Sequence, residues 1–276
     1  MFYGALQYKN SCNLGDNIQT LAALQYLPRV DFWVDRDTGE TSAKQPITVI
    51  YNGWFNEHFW YTIPKNIIPI FIAFHLDTDS HENQNEYKWL QKFRIKRNTE
   101  NFKVMKSVGC RDLSTLEYLR QNKINAYFSG CISLTLKPPK VKKTNSILVV
   151  DVDCSVPWIQ SLPNKKIRSQ VTKSVSNDMK LEEAKKLLED IASSKLVITS
   201  RLHTMLPSVA FNVPVIFVTK NKNDKRFSGL IDYVPISDGT SCPVEDLENF
   251  TWDKMHKVKH LKALGDSLKI ILPTII

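Results

Sequence analysis

Short apolar runs and amphipathic stretches alternate along this chain. FYGALQY, followed by the loop-forming KNSCNLGDN, predicts a strand running into a turn. IQTLAALQYL sets Ile18, Leu21, Leu24 and Leu27 along one face at helical spacing and predicts a helix. VDFWV, PITVIYNGWF and NIIPIFIAFHL read as strands. The second carries Asn52-Gly53 at its C-terminal end, and the third runs out to His75. NEYKWLQKFRIKR and DLSTLEYLRQNK read as helices, the latter with Leu113, Leu116 and Leu119 on one stripe, and NAYFSG as a short strand.

LKPPKVKKTNS breaks this rhythm with a proline pair and four lysines, which marks a linker at about 138–143. A second alternating run follows. ILVVDVD, KLVITS and VPVIFVT read as strands, and LHTMLPSVAFN as a helix. LEEAKKLLEDIASS is an amphipathic helix with Leu181, Ala184, Leu187, Leu188 and Ile191 inward. WDKMHKVKHLKALGDSLKII predicts one long closing helix with Met255, Val258, Leu261, Leu264 and Leu268 on its apolar face.

Strands alternating with helices imply parallel sheets covered on both faces. The expected fold is therefore α/β: two Rossmann-like doubly wound domains, residues 1–137 and 144–276, facing each other across a cleft. In such sheets ligands bind beyond the C-terminal ends of the strands. The chemistry should then come from Asn13 to Asn17, Asn52 to Trp54, His75, Gly109 to Asp112, Ser200 to His203 and the loop after VPVIFVT.

Composition narrows the classes. With 276 residues, 42% hydrophobic and 24% charged, the chain has the make-up of a soluble globular protein. No run approaches the roughly 18 apolar residues of a membrane span, and the start lacks a secretory pattern, so a cytoplasmic protein is expected. Five scattered cysteines (Cys12, Cys110, Cys131, Cys154, Cys242) without a C-x-x-C pair argue against a disulfide framework or a zinc site. His256 and His260 have a metal-compatible spacing but no third ligand nearby, so no metal is expected.

The net charge of +9 suits an anionic partner: a phosphorylated metabolite, an acidic membrane surface touched peripherally, or nucleic acid. The basic residues are dispersed over KFRIKR, KPPKVKK, NKKIR and KNKNDKR, with no recognised nucleic-acid module, so no specific nucleic acid is expected.

Four stretches carry candidate chemistry. In CNLGDNIQ, Gly15 permits close backbone approach or positive φ, and Asp16 caps the helix or serves as a base. In GCRDLST, Arg111 is a fork for a carboxylate or phosphate, with Asp112 at the helix start. In SRLHT, Ser200 to Thr204, a helix start and Arg201 together favour an anion. The same field disfavours an imidazolium, lowering the pKa of His203 until a bound anion compensates. In KNDKRFSGLID, Arg226 and Gly229 could cover that anion.

N-x-G-D (Asn13, Gly15, Asp16), RD-x-S (Arg111, Asp112, Ser114), SGCISLTL (Ser129 to Leu136), SRLH (Ser200 to His203) and RF-x-G (Arg226, Phe227, Gly229) follow in an order that resembles the polysaccharide pyruvyl transferase family. The resemblance runs from about Tyr3 to Asp232. It implies a GT-B-like architecture with its site in the cleft, the first domain on the acceptor side and the second on the donor side. It allows the closing helix to brace the first domain.

The implied reaction takes phosphoenolpyruvate as donor, forms a pyruvate ketal on a sugar or glycan acceptor, including a nucleotide- or lipid-linked sugar, and needs no cofactor. His203 would be the acid and Asp16 the base. Arg111, Arg201 and Arg226 would clamp the donor, helped by the helix-start amides at Leu202 and His203. Asn13, Gly15, Asn52, His75, Ser200, Leu202 and Thr204 complete the expected substrate contacts. Two departures, the short chain and SGCISLTL in place of a GDP-like segment, bear on the acceptor. A nucleotide-sugar glycosyltransferase and a non-catalytic glycan or anion binder are the alternatives.

Overall fold

The computed structural model describes residues 1–55, 63–77 and 107–276. The helix expected over residues 85–97 lies outside them.

Two parallel sheets organise the chain. The first contains β1 (Phe2–Gln7), β2 (Phe32–Asp35), β3 (Ile47–Phe55), β4 (Ile67–Leu76), β5 (Val108–Cys110) and β6 (Ala126–Phe128), in the order β2-β1-β3-β4-β5-β6. Helix α1 (Leu14–Leu24) follows β1, and α2 (Leu113–Gln121) follows β5. The second sheet contains β7 (Ile147–Val150), β8 (Lys165–Arg168), β9 (Leu196–Thr199), β10 (Val215–Val218) and β11 (Ile236–Ser237), in the order β11-β10-β9-β7-β8. Its helices are the short α3 (Pro157–Gln160), α4 (Asn177–Ser193) and α5 (Leu202–Ala210). The strand order reverses between β1 and β3 in one sheet and between β7 and β9 in the other. Such switch points open a crevice at the strands' C-terminal ends.

Packing follows from the apolar stripes. Ile18 and Ala22 of α1 share one continuous apolar cluster with Ala184 and Leu188 of α4 and with Met205 and Val209 of α5. Three helices thus lie where the two halves meet. The outer face of the first sheet is closed by a second cluster rich in aromatics, with Phe55 stacked on Phe74 at 4.8 Å and Phe71 edge-on to Phe74 at 5.3 Å. Residues 138–143 carry no helix or strand and are largely exposed.

Two segments differ from the sequence reading. The closing helix, α6, spans Lys259–Ile275, and Trp252–Lys254 and His256–Val258 form separate 3-10 turns before it. Met255 and Val258 are buried as expected, but from the junction of those turns and from the end of the second rather than from the helix. KKIR, read from the sequence only as one of four basic segments, is the edge strand β8. Lys166 and Arg168 both reach Asp190 of α4, at 2.5 and 2.7 Å. Polar edge strands carry no apolar run to betray them.

Helix α6 turns back onto the 3-10 turn Ile132–Thr135 that ends the first half. Gly265 makes this approach possible, because a Cβ there would lie 2.7 Å from the backbone oxygen of Leu134. By helix propensity alone, Gly265→Ala would stabilise by about 1 kcal/mol. Backbone crowding costs about 1–3 kcal/mol and should win. The expected result is a lower midpoint of chemical unfolding for Gly265→Ala; a higher midpoint would show that the helix is not seated this closely.

Candidate functional site

The loop after β1 is stitched to the second half. The N–H of Leu14 donates to the carbonyl of Gln170 and that of Thr172 to the carbonyl of Cys12, both at 2.8 Å. The ammonium of Lys180, buried on α4, donates to the carbonyls of Tyr8, Lys9 and Ser11 at 3.0, 3.1 and 2.8 Å. Asn13 caps α1 by accepting from the N–H of Gly15 at 3.0 Å, and the same oxygen accepts from Nε2 of Gln170 at 2.7 Å. Oε1 of Gln170 in turn accepts from Thr204 at 2.8 Å. This chain of bonds brings the start of α1 against the start of α5.

Gly15 is required there for closeness rather than for an unusual backbone angle. A Cβ would sit 2.6 Å from Nε2 of Gln170 and 2.9 Å from Nδ1 of His203.

Beyond these helix starts opens a cavity of about 360 Å3, lined from the first half by Asn13, Asp16, Arg36, Trp54 and Arg111. The second half contributes Gln170, Ser200, Arg201, Leu202, His203 and Arg226. Four arginines face it against two aspartates, Asp16 and Asp37. The helix start at Leu202 and His203 adds N–H groups that intrahelical bonding leaves over.

Each arginine is braced on a carboxylate. Arg111, only 2% exposed, meets Asp112 at 3.3 Å. Arg201 donates through Nε to Asp151 at 2.8 Å, and Arg226 forks Asp224. Arg36 lies between the rings of Tyr8 and Trp54, 4.8 and 5.7 Å from their centroids, and pairs with Asp37 at 2.8 Å and Asp16 at 3.6 Å.

Burial and these charges set the titrating groups. Burial pushes the carboxyl of Asp16 up, against the charge of Arg36 and a hydrogen bond from Ser11 at 2.5 Å. His203, 8% exposed, is held well below the ordinary histidine range, first by burial, then by the charges of Arg111, His75 and Arg226. The sequence expectation of a depressed His203 agrees in direction. Its cause is burial and Arg111 more than the helix start and Arg201. Nε2 of His203 has no protein partner among the described residues.

Behind the cavity wall, burial and then Arg111 depress His75, whose Nδ1 lies 2.5 Å from Asp112. Burial opposes ionisation of Asp112. Nevertheless His75, Arg111 and the N–H of Thr115 together hold it down at about 2.

The structure thus brings Asn13, Asp16, Arg111, Ser200, Arg201, Leu202, His203 and Arg226 around one space, with Gly15 directly behind. His75, Asn52 and Thr204 do not line it. His75 is bonded to Asp112 and Thr204 to Gln170, while Asn52 sits buried where the pairing of β3 with β4 shifts register.

Sequence reasoning passed over Arg36, Asp37 and Gln170. Arg36 stands one residue past β2, so the strand-end rule applied to VDFWV would have found it. Gln170 stands two residues past β8, and missing that polar strand concealed it. Among the described residues no three His, Cys, Asp or Glu side chains converge as a metal would require.

Comparison with known proteins adds the lineage. The structure resembles that of an uncharacterised protein from Klebsiella pneumoniae, with a TM-score of 0.51 at 15% identity, over 87% of this chain and 92% of that one. It also resembles a variant of the wall teichoic acid polymerase TagF, with a TM-score of 0.50 at 12% identity, over 99% of this chain and 88% of that one. At such identities the likeness is one of fold, α/β with two Rossmann-like sheets in a GT-B-like arrangement. A search of curated proteins finds no match. The family model described as polysaccharide pyruvyl transferase matches residues 13–221, which hold every arginine, aspartate and histidine of the cavity except Arg226. The chain belongs to the polysaccharide pyruvyl transferase family.

Proposed function

We propose that the protein transfers pyruvate from phosphoenolpyruvate to two hydroxyls of a sugar, forming a ketal and releasing phosphate. The observation that carries this reading is a neutral, buried His203 in a cavity faced by four arginines. The donor brings a phosphate and a carboxylate. Two or more cationic clamps are needed, and Arg111 and Arg201 with Arg226 are suited to them.

The chemistry starts with a proton. The methylene carbon of the enol ester must be protonated, which leaves an electron-poor carbon for a sugar hydroxyl to attack. Burial first, and then the charge of Arg111, keep His203 neutral; an incoming anion offsets the second of these, so the acid becomes charged when donor is present. Asp16, raised by burial, is the group to take a proton from the attacking hydroxyl. Loss of phosphate and attack by the second hydroxyl close the ketal. Of the two hydroxyl protons, one replaces that taken up by the methylene carbon and the other leaves with phosphate. The scheme needs no metal or redox cofactor, and it asks of the acceptor only two suitably placed sugar hydroxyls.

Phosphate release from phosphoenolpyruvate, measured over a panel of sugar acceptors, tests the reading. Arg111→Gln should lower kcat/KM by about 10²–10³ and His203→Gln by about 10²–10⁴. Wild-type rates in both variants would remove them from the mechanism. A protein stabilised by nucleotide sugars and not by phosphoenolpyruvate would be a glycosyltransferase instead.

A second test needs no turnover. The folded pKa of His203 and of His75 lies below the unfolded value of about 6.5. Below that pH the unfolded chain binds more protons. Stability should therefore fall on acidification from pH 6.5 towards the depressed folded values, by about 1.4 kcal/mol per pH unit for each histidine. Urea unfolding at several pH values should show this slope. It should flatten in His203→Gln and in wild type saturated with phosphate. A slope unchanged by either would mean that His203 is charged without a ligand.

A further inference from the structure

A second cavity, of about 800 Å3, opens at the C-terminal ends of β7, β10 and β11. It adjoins the first, and Ser200, Arg226 and Phe227 line both. Its electrostatic character is the reverse. Four aspartates face it: Asp151 and Asp224, which carry the ion pairs to Arg201 and Arg226, and Asp153 and Asp238, which hold no arginine among the described residues and face Lys220; the first cavity has four arginines against two aspartates. Hydrogen bonds from Ser155 to Asp153 and from Thr240 to Asp238 hold these two carboxyls below their ordinary range.

In both residues Oδ1 serves the local turn, accepting from Ser155 and Thr240 respectively. Neither Oδ2 has a protein hydrogen-bond partner among the described residues. Apolar surface from Val152, Val156, Pro157 and Val218 completes the wall.

Three occupants can be compared on charge and geometry. A nucleoside diphosphate would set its phosphates against the aspartates, a repulsive arrangement. A divalent cation needs carboxylates converging on one point, and no three metal-ligating side chains do so among the described residues. An uncharged sugar offers hydroxyl donors to separated carboxylate oxygens and a C–H face to apolar wall, and its entry costs no charge repulsion.

We infer that this second cavity is the acceptor subsite and takes an uncharged sugar, delivered past Ser200 and Phe227 to the donor in the first cavity. The inference rests on the pyruvyl-transfer reading. It moves the acceptor to the second half of the chain, away from the side that the family resemblance implies. Opposite charge then sorts the substrates: the aspartates repel phosphoenolpyruvate and the arginines attract it.

Saturation-transfer NMR with a panel of neutral methyl hexosides and methyl N-acetylhexosaminides tests the subsite without turnover. Binding of at least one glycoside is expected. Thr240→Trp, which fills the cavity from its exposed rim, should abolish that binding, and Asp238→Asn should weaken it about tenfold. Unchanged thermal unfolding would certify that both variants fold. In turnover, the same variants should raise the KM for acceptor and leave that for phosphoenolpyruvate unchanged.

Failure of every glycoside to bind wild type, or binding untouched by both substitutions, overturns the inference. So does binding of UDP or GDP that Thr240→Trp abolishes. Glycoside binding that behaves as expected, with no phosphate released from phosphoenolpyruvate, overturns the transfer reading and leaves a sugar site.

Discussion

One buried ammonium holds the geometry of the site. Lys180 reaches from α4 in the second half to three backbone carbonyls of the loop that follows β1 in the first. A charged donor with three acceptors is satisfied only while that loop keeps its curvature, and burial makes any other arrangement expensive. The loop's curvature in turn sets the start of α1. The start of α1 carries Asn13, Gly15 and Asp16 against Gln170 and His203. The proposed acid and base come from different sheets, yet they meet across bonds that leave little freedom between them. Catalytic groups gain from such fixed placement, because orientation is settled before substrate arrives.

The same seam explains why the cavity is both cationic and deep enough to bury and depress a histidine. Four arginines brought together without counter-charges would repel one another strongly. Here Asp112, Asp151, Asp224 and the pair Asp16 and Asp37 each brace one of them from the side or from behind. The carboxylates offset the arginines' mutual repulsion, and the fold avoids isolated buried charge. His203 lies within reach of this field but has no carboxylate partner among the described residues. His75 does have one in Asp112, so the two histidines differ by partner more than by depth.

Much of this was legible in the sequence because parallel sheets advertise themselves. Buried strands such as ITVIYNGWF and LVIT are apolar on both faces, and Asn13, Arg111 and His203 each follow such a strand at a helix start. What stayed hidden was polar. β8 reads KKIR, an edge strand whose lysine and arginine find Asp190 only after α4 has folded over it, and Gln170 was lost with it. Arg36 gave a local signal but its stacking on Tyr8 and Trp54 is a tertiary fact. The closing helix was drawn too long because Met255 and Val258 satisfy its apolar stripe. They are buried in and between 3-10 turns of nearly the same periodicity. No spacing rule could announce the second cavity, since its aspartates come from three separate stretches of chain, after β7, before the 3-10 turn Lys225–Phe227 and after β11.

The seat of α6 on the Ile132–Thr135 turn bears on how the molecule unfolds. That turn belongs by sequence to the first half, but Leu134 is covered by a helix that leaves the second sheet more than a hundred residues later. Stripping either sheet of its partner would uncover apolar surface that the two halves share in one continuous cluster. The two halves, separable by eye at the linker, are therefore coupled into one cooperative unit. Heat or denaturant should meet them as a single transition rather than as two.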